Sequence, residues 1–283
     1  MSHPEIERLR LTAGGQTIGH LALGRDRTGA APVVLIHSSA VGSGQWRDVM
    51  PLLDHPGPLH AIDLHGYGET SPWTHPGPVD HGAEAALVAA LIDHLGAPAH
   101  VVGHSFGALI GLRVARDHGD RVAGLVALEP VTFGLLPDRR DDAMVAALRD
   151  GFEGALARAD GGDMAGFMTH LVDYWNRPGF WDGLSDRQRE KQLALAGKVH
   201  REVASAMADR TPLESWTAIA APVRLMGARG TTAAAKAVLE ILHAARPDWP
   251  LDWLPDCGHM APLTHPATTA RFLNAALKGQ TTP

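Results

Sequence analysis

The sequence predicts an α/β fold: a mostly parallel central sheet, helices on both faces, and a helical segment inserted before the last strands. Short apolar runs rich in Val, Ile and Leu alternate with longer Ala-rich stretches, which is the pattern of βαβ units. From 132 to about 215 the alternation stops, and Gly-Asp breaks such as "RADGGDM" and "NRPGFWDGL" divide helical segments. A chain of 283 residues, 45% hydrophobic and 20% charged, suits one folded core with one elaboration.

Taken in order, "IERLRL" and "QTIGHLAL", separated by "TAGG", read as an antiparallel hairpin at the sheet edge. The apolar runs "PVVLIH" (32–37), "PLHAID" (58–63), "AHVVGH" (99–104) and "VAGLVALE" (122–129) follow as buried strands. Helices fit between them at 45–54, 80–95 and 106–118. Beyond the insertion come "APVRLMG" (221–227), a helix at 233–245, "PLDWLP" (250–255) and a helix at 267–277. Residues 1–131 and 216–283 are therefore expected to form two parts of one core. Residues 132–215 are expected to lie as a cap over the strand ends, where open α/β sheets bind ligands.

Composition removes several classes of function. The net charge is −6, and Lys and Arg are scattered without the basic stripe that nucleic acid requires. The start, "MSHPEIERLRLTAGG", lacks the apolar core of a signal peptide, and no window approaches the roughly 18 apolar residues of a membrane span. A cytoplasmic protein without a membrane partner is the expectation. One cysteine, Cys257, excludes an intramolecular disulfide and reads as a small buried residue beside a functional histidine. The 17 histidines contain no H-E-x-x-H and no Cys/His cluster at ligand spacing, so no metal and no cofactor are expected. The oligomeric state is not legible.

The chemistry begins at "GHSFG" (103–107), which fits G-x-S-x-G directly after an apolar strand and directly before a helix. Ser105 would sit on a strained strand-to-helix turn, where side chains at 103 and 107 would collide with neighbouring backbone. Together "GHSFG", "DLHGYGET" (63–70) and "GHMAPLTHP" (258–266) resemble the α/β-hydrolase fold family over nearly the whole chain outside the cap. The resemblance implies a triad in the chain order nucleophile, acid, histidine. On it Ser105 is the nucleophile, and His259, in the loop after the last strand, is the base. His37 and His104 stand where the family often carries histidine and are read as pocket or structural residues. Asp63 is expected to organise the "DLHGYG" turn.

The acid departs from the commoner pattern. Many members of the family carry it in a G-x-x-D turn after the strand here written "APVRLMG", yet this chain has Gly227, Ala228, Arg229 and Gly230. Some relatives, haloalkane dehalogenases among them, draw it from the preceding strand end, where this chain has Glu129. Neighbouring strand ends face one crevice, so a glutamate there reaches the same imidazole nitrogen. Among Val126, Leu128, Val131 and Phe133 an unpaired carboxylate is costly to bury, and His259 would be its partner. Asp256, three residues before His259, is the rival.

"LIHSSAVGSGQW" (35–46) stands where the family often has a His-Gly-x loop, with Ser38 in place of the glycine. The expected oxyanion donors are the backbone amides of Ser39 and Phe106. Ser38, His104, Phe133, Trp175, Trp181 and Met260 are the candidates for contact with substrate. "VDYWNRPGFW" (172–181) concentrates aromatics that either wall an acyl pocket or glue the cap to the core. These residues point to hydrolysis of a carboxylic ester or lactone of a small, largely apolar molecule through a Ser-His-Glu triad. Serine at 105 argues against the dehalogenase and epoxide hydrolase subfamilies, which use a carboxylate nucleophile. Thioester and carbon–carbon cleavage stay open, as does a non-catalytic binding protein of the same fold.

Overall fold

The computed structural model describes residues 5–136 and 142–279. Its first two strands, β1 (Glu7–Ala13) and β2 (Gln16–Leu23), form the edge hairpin. Gly14 and Gly15 turn it with φ of 57° and 78°, the two positive values of a type I′ turn that glycine meets without strain. Then come β3 (Val33–Ile36), β4 (Leu59–Ile62), β5 (Ala99–His104) and β6 (Val122–Leu128). The last two are β7 (Val223–Ala228) and β8 (Leu251–Leu254). They make one eight-stranded sheet in the order β1-β2-β4-β3-β5-β6-β7-β8. β2 is antiparallel to β1 and β4, and the remaining pairs are parallel.

A parallel sheet is covered on both faces, and its strands read as unbroken apolar runs for that reason. In β3, Val34 and Ile36 join the core on one face while Val33 and Leu35 join the core on the other. Helices α1 (His81–Leu95) and α2 (Phe106–Asp117) pack on the first face through residues such as Leu91 and Leu109. Later in the chain come α3 (Ala143–Asp160), α4 (Met164–Trp175), α5 (Asp186–Ala208), α6 (Leu213–Thr217) and α7 (Ala233–Ala245). A short α8 (Ala261–Thr264) and α9 (Pro266–Leu277) end the fold, α9 covering the second face with Phe272 and Leu273.

One element differs from expectation. Residues 45–54 form no α-helix; the chain makes 3₁₀ turns at Ser43–Trp46 and Met50–Leu52. Pro51 removes a backbone donor and disfavours helical backbone at Met50, so the segment tightens into short turns.

Between β6 and β7 the described residues hold helices α3 to α6 and no strand. Their ends explain the Gly-Asp breaks. Asp163 caps α4 by accepting from Gly166 N, and Ser185 with Gln188 closes a capping box on α5. Phe152, Phe167, Leu171 and Val199 merge with the core beneath. Lys198 on α5 bonds Glu84 on α1 at 2.7 Å, which fastens the insertion to the sheet layer. Among the described residues no helix is long and apolar enough to cross a membrane.

Candidate active site

Ser105 occupies the sharp turn between β5 and α2 with φ 57° and ψ −118°, a conformation that costs a non-glycine residue free energy. Its flanking glycines are required by close approach. A Cβ on Gly103 would lie 2.6 Å from Ala108 Cα, and one on Gly107 would lie 2.5 Å from the carbonyl oxygen of His37. The turn is also tied to the sheet, since Ser105 N donates to Leu128 O at 2.9 Å.

His259 follows β8 and faces the serine. Its Nε2 lies 3.0 Å from Ser105 Oγ, and its Nδ1 lies 2.5 Å from Glu129 Oε2. With the proton on Nδ1, directed at the carboxylate, Nε2 is left to accept from the Ser105 hydroxyl. Ser105, His259 and Glu129 are 6%, 2% and 0% exposed, so the whole line is shielded from water. His104 stands behind it, its Nε2 2.9 Å from the carbonyl oxygen of His259. Burial and then the neighbouring His259 hold the His104 pKa well below the ordinary histidine value, so its ring is neutral and donates one proton.

Glu129 lies just past β6 at φ 51°. Ala228 N donates to its Oε1 at 2.6 Å, and Thr231 Oγ1 donates to its Oε2 at 2.6 Å. The turn where an aspartate is missing therefore supplies donors to the carboxylate of the neighbouring strand. Gly230 N also bonds Cys257 O at 2.9 Å, and a Cβ on Gly230 would lie 2.8 Å from that oxygen, so the turn has no room for a side chain there. Asp256 is exposed, at φ 54° in the β8 turn. Burial, with Glu129 and Asp256 nearby, pushes the Cys257 thiol up to about 11, which keeps it protonated and unreactive at neutral pH.

Among the described residues the Ser39 and Phe106 amides make no hydrogen bond within the protein, and both residues line the cavity over Ser105. The loop beside them is held by Gln45, whose Oε1 accepts from Ser38 N at 3.0 Å and Ser38 Oγ at 2.8 Å. Ala40 N donates to the Tyr67 hydroxyl at 3.0 Å. Asp63 Oδ1 accepts from Ser43 N at 2.7 Å, so the "DLHGYG" turn organises this loop as well as itself. His37, neutral because burial lowers its pKa, donates Nδ1–H to Ser38 O and accepts from Leu64 N.

The cavity measures ≈ 280 Å³, its floor formed by Ser105, Phe106 and His259 and its roof by residues of α4 and α5. Of the candidate contact residues, Ser38, Phe133, Trp175 and Met260 line it. Trp175, the last residue of α4, stacks on His259 with ring centroids 3.6 Å apart and planes at 20°. Phe133 stacks in turn on Trp175. Two candidates lie elsewhere. His104 is fully buried behind the Ser105–His259–Glu129 line and does not reach the cavity. Trp181 is 7% exposed and packs into the core, its amide anchored to Asp173 Oδ1 at 2.8 Å. Gln45 and Tyr67 lie within the quoted stretches "LIHSSAVGSGQW" and "DLHGYGET" without a role assigned to them there, whereas Thr231 and Glu202 carry no motif signal of their own.

An eight-stranded, mostly parallel sheet with this order, a serine in the strand-to-helix turn at its centre and a histidine after its last strand define an α/β hydrolase fold. The chain belongs to the alpha/beta hydrolase family, whose sequence model matches residues 33–272. It is similar to the lipase LipV of Mycobacterium tuberculosis, 37% identical over 136 residues, which is 47% of this chain and 50% of that protein. It is 28% identical over 255 residues to the dihydrolipoyllysine-residue acetyltransferase component of the acetoin cleaving system of Pseudomonas putida, covering 87% of this chain and 63% of that one. A pimeloyl-[acyl-carrier protein] methyl ester esterase of Neisseria meningitidis is 38% identical over 93 residues, 33% of this chain and 34% of its own. The matches thus span 50%, 63% and 34% of these relatives' own lengths. Among solved structures, a bacterial membrane phospholipase A superposes with a TM-score of 0.77 at 22% identity, over 97% of this chain and 86% of that one, a likeness of fold alone.

Proposed function

We propose that this protein is a serine hydrolase that cleaves a carboxylic ester of a small, largely apolar molecule, and that residues 132–215 act as the cap that selects it. The observation that carries this reading is the hydrogen-bonded line from Ser105 Oγ through His259 to Glu129 on the floor of an apolar cavity. Ser105 Oγ attacks the ester carbonyl while His259 Nε2 takes its proton. Glu129 fixes the imidazole tautomer and stabilises the imidazolium. The Ser39 and Phe106 amides receive the oxyanion, a contribution worth about 2.7–4 kcal/mol per donor. His259 then protonates the departing alcohol. A water molecule, deprotonated by His259, attacks the acyl-enzyme, and the acid leaves as Ser105 regains its proton. Similarity to proteins named lipase and methyl ester esterase supports the choice of bond.

The test is hydrolysis of a series of p-nitrophenyl esters together with labelling by a fluorophosphonate. Ser105→Ala and His259→Ala are expected to abolish turnover while circular dichroism stays unchanged, and Ser105→Ala to abolish the label. Hydrolysis at the wild-type rate by Ser105→Ala would overturn the serine mechanism.

A further inference from the structure

The loop that carries the Ser39 amide is built without the glycine its place suggests. Ser38 stands at that position, and Ala40 adopts φ 71°, a left-handed conformation in which a Cβ is strained. Such backbone persists only where its surroundings over-determine it. On one side Gln45 grips Ser38. On the other, the Tyr67 hydroxyl accepts from Ala40 N at 3.0 Å and donates to Glu202 Oε2 at 2.8 Å.

Glu202 belongs to α5 of the insertion, and it is 0% exposed, as Tyr67 is 1% exposed. A buried carboxylate needs a counter-charge, and Lys198, one helical turn earlier, places Nζ 3.4 Å from Glu202 Oε1 while bonding Glu84 of the core. The Tyr67 ring is seated edge-on to His37 at 4.5 Å, which fixes where its hydroxyl points. Burial and the neighbouring Glu202 hold the Tyr67 pKa well above its ordinary value, so the phenol stays a donor throughout the working pH range.

We propose that Glu202 is a positioning residue for the oxyanion loop: through Tyr67 it holds Ala40, and with it the neighbouring Ser39 amide, where the tetrahedral oxyanion forms. The inserted helix then completes the catalytic apparatus as well as roofing the cavity. This rests on the serine-hydrolase reading given above.

The experiment measures kcat and KM for p-nitrophenyl butyrate with Glu202→Met, Tyr67→Phe, the double variant and Glu202→Gln. Glu202→Met and Tyr67→Phe are each expected to lower kcat by about 10–100-fold with KM within about twofold, because a misplaced amide is felt in the transition state. The double variant should lose no more than the larger single, since the two act as one relay. Glu202→Gln, which still accepts from Tyr67, should recover most of the rate. If Glu202→Met does not fold, Tyr67→Phe, which loses one oxygen atom, carries the test alone. Variants that keep the wild-type kcat, that change KM only, or whose losses multiply would overturn the proposal. A wild-type protein that neither cleaves esters nor takes the fluorophosphonate overturns the serine-hydrolase reading and this inference with it; an active wild type matched by its variants overturns this inference alone.

Discussion

On the serine-hydrolase reading, the Glu129 carboxylate, 2.5 Å from His259 Nδ1, decides which imidazole nitrogen holds the proton. Glu129→Gln keeps the side chain's size and removes that charge, so kcat should fall by roughly 10²–10⁴ while the fold survives, as initial rates and circular dichroism will show. Asp256→Asn, at an exposed turn, should leave the rate close to wild type. Adding Gly230→Asp to Glu129→Gln should restore nothing, because the new Cβ would press on the Cys257 carbonyl at 2.8 Å. Recovery of activity in that double variant would show that the turn can relax to admit an acid. Ser105 and His259 are legible in the sequence because each sits in a local motif with its own glycines. Glu129 is legible for a different reason: a carboxylate among Val126, Leu128 and Phe133 must find a partner. Thr231 is not, since its bond to Glu129 joins residues 102 positions apart and threonine is ordinarily solvated.

Helix α4 and the turn after it separate two tryptophans that look equivalent in the sequence. Trp175 ends α4 and lies over His259, whereas Trp181 is buried in the 3₁₀ turn Trp181–Gly183. Trp175→Ala should therefore change the ratio of kcat/KM between short and long acyl esters with a modest effect on the thermal midpoint. Trp181→Ala should do the reverse, costing about 3–5 kcal/mol of stability as a cavity opens, with the chain-length profile kept. Equal profiles for the two variants would assign both to packing. The helices and strands are largely legible because apolar periodicity and Gly-Asp punctuation are local. The failure at 45–54 is local too, resting on Pro51. Which face of the insertion meets the cavity is set by packing across the molecule, and no window of sequence holds it.

Over the whole molecule, buried histidines held neutral in the fold make stability fall in acid; His37 and His104 do so at the candidate site, and a second pair lies away from it. His20 on β2 and His60 on β4 lie with rings 5.2 Å apart, and the Nδ1 of each has no hydrogen-bond partner. Burial, then His94, lowers His20 to about 4, and burial, then His20, lowers His60 to about 3. Unfolded, both titrate near about 6.5, so from there downward the unfolded chain binds more protons than the folded one. Stability is complete above about pH 6.5 and drains away as the pH falls toward 4, by on the order of 2–4 kcal/mol at pH 5. Thermal melts from pH 7 to 4.5 should show this decline, and His60→Phe should flatten it; parallel curves would place the acid sensitivity elsewhere. The insertion has a temporal consequence as well. β6 and β7 pair in parallel with Leu125 opposite Val223, so the whole of α3 to α6 must be looped out before that ladder can close. Contacts of such long range are late events, and the Glu129–His259 bond, spanning 130 positions, can form only after them. On refolding from denaturant, helical signal should return first and esterase activity last, so a truncated or stalled chain would be helical yet inert.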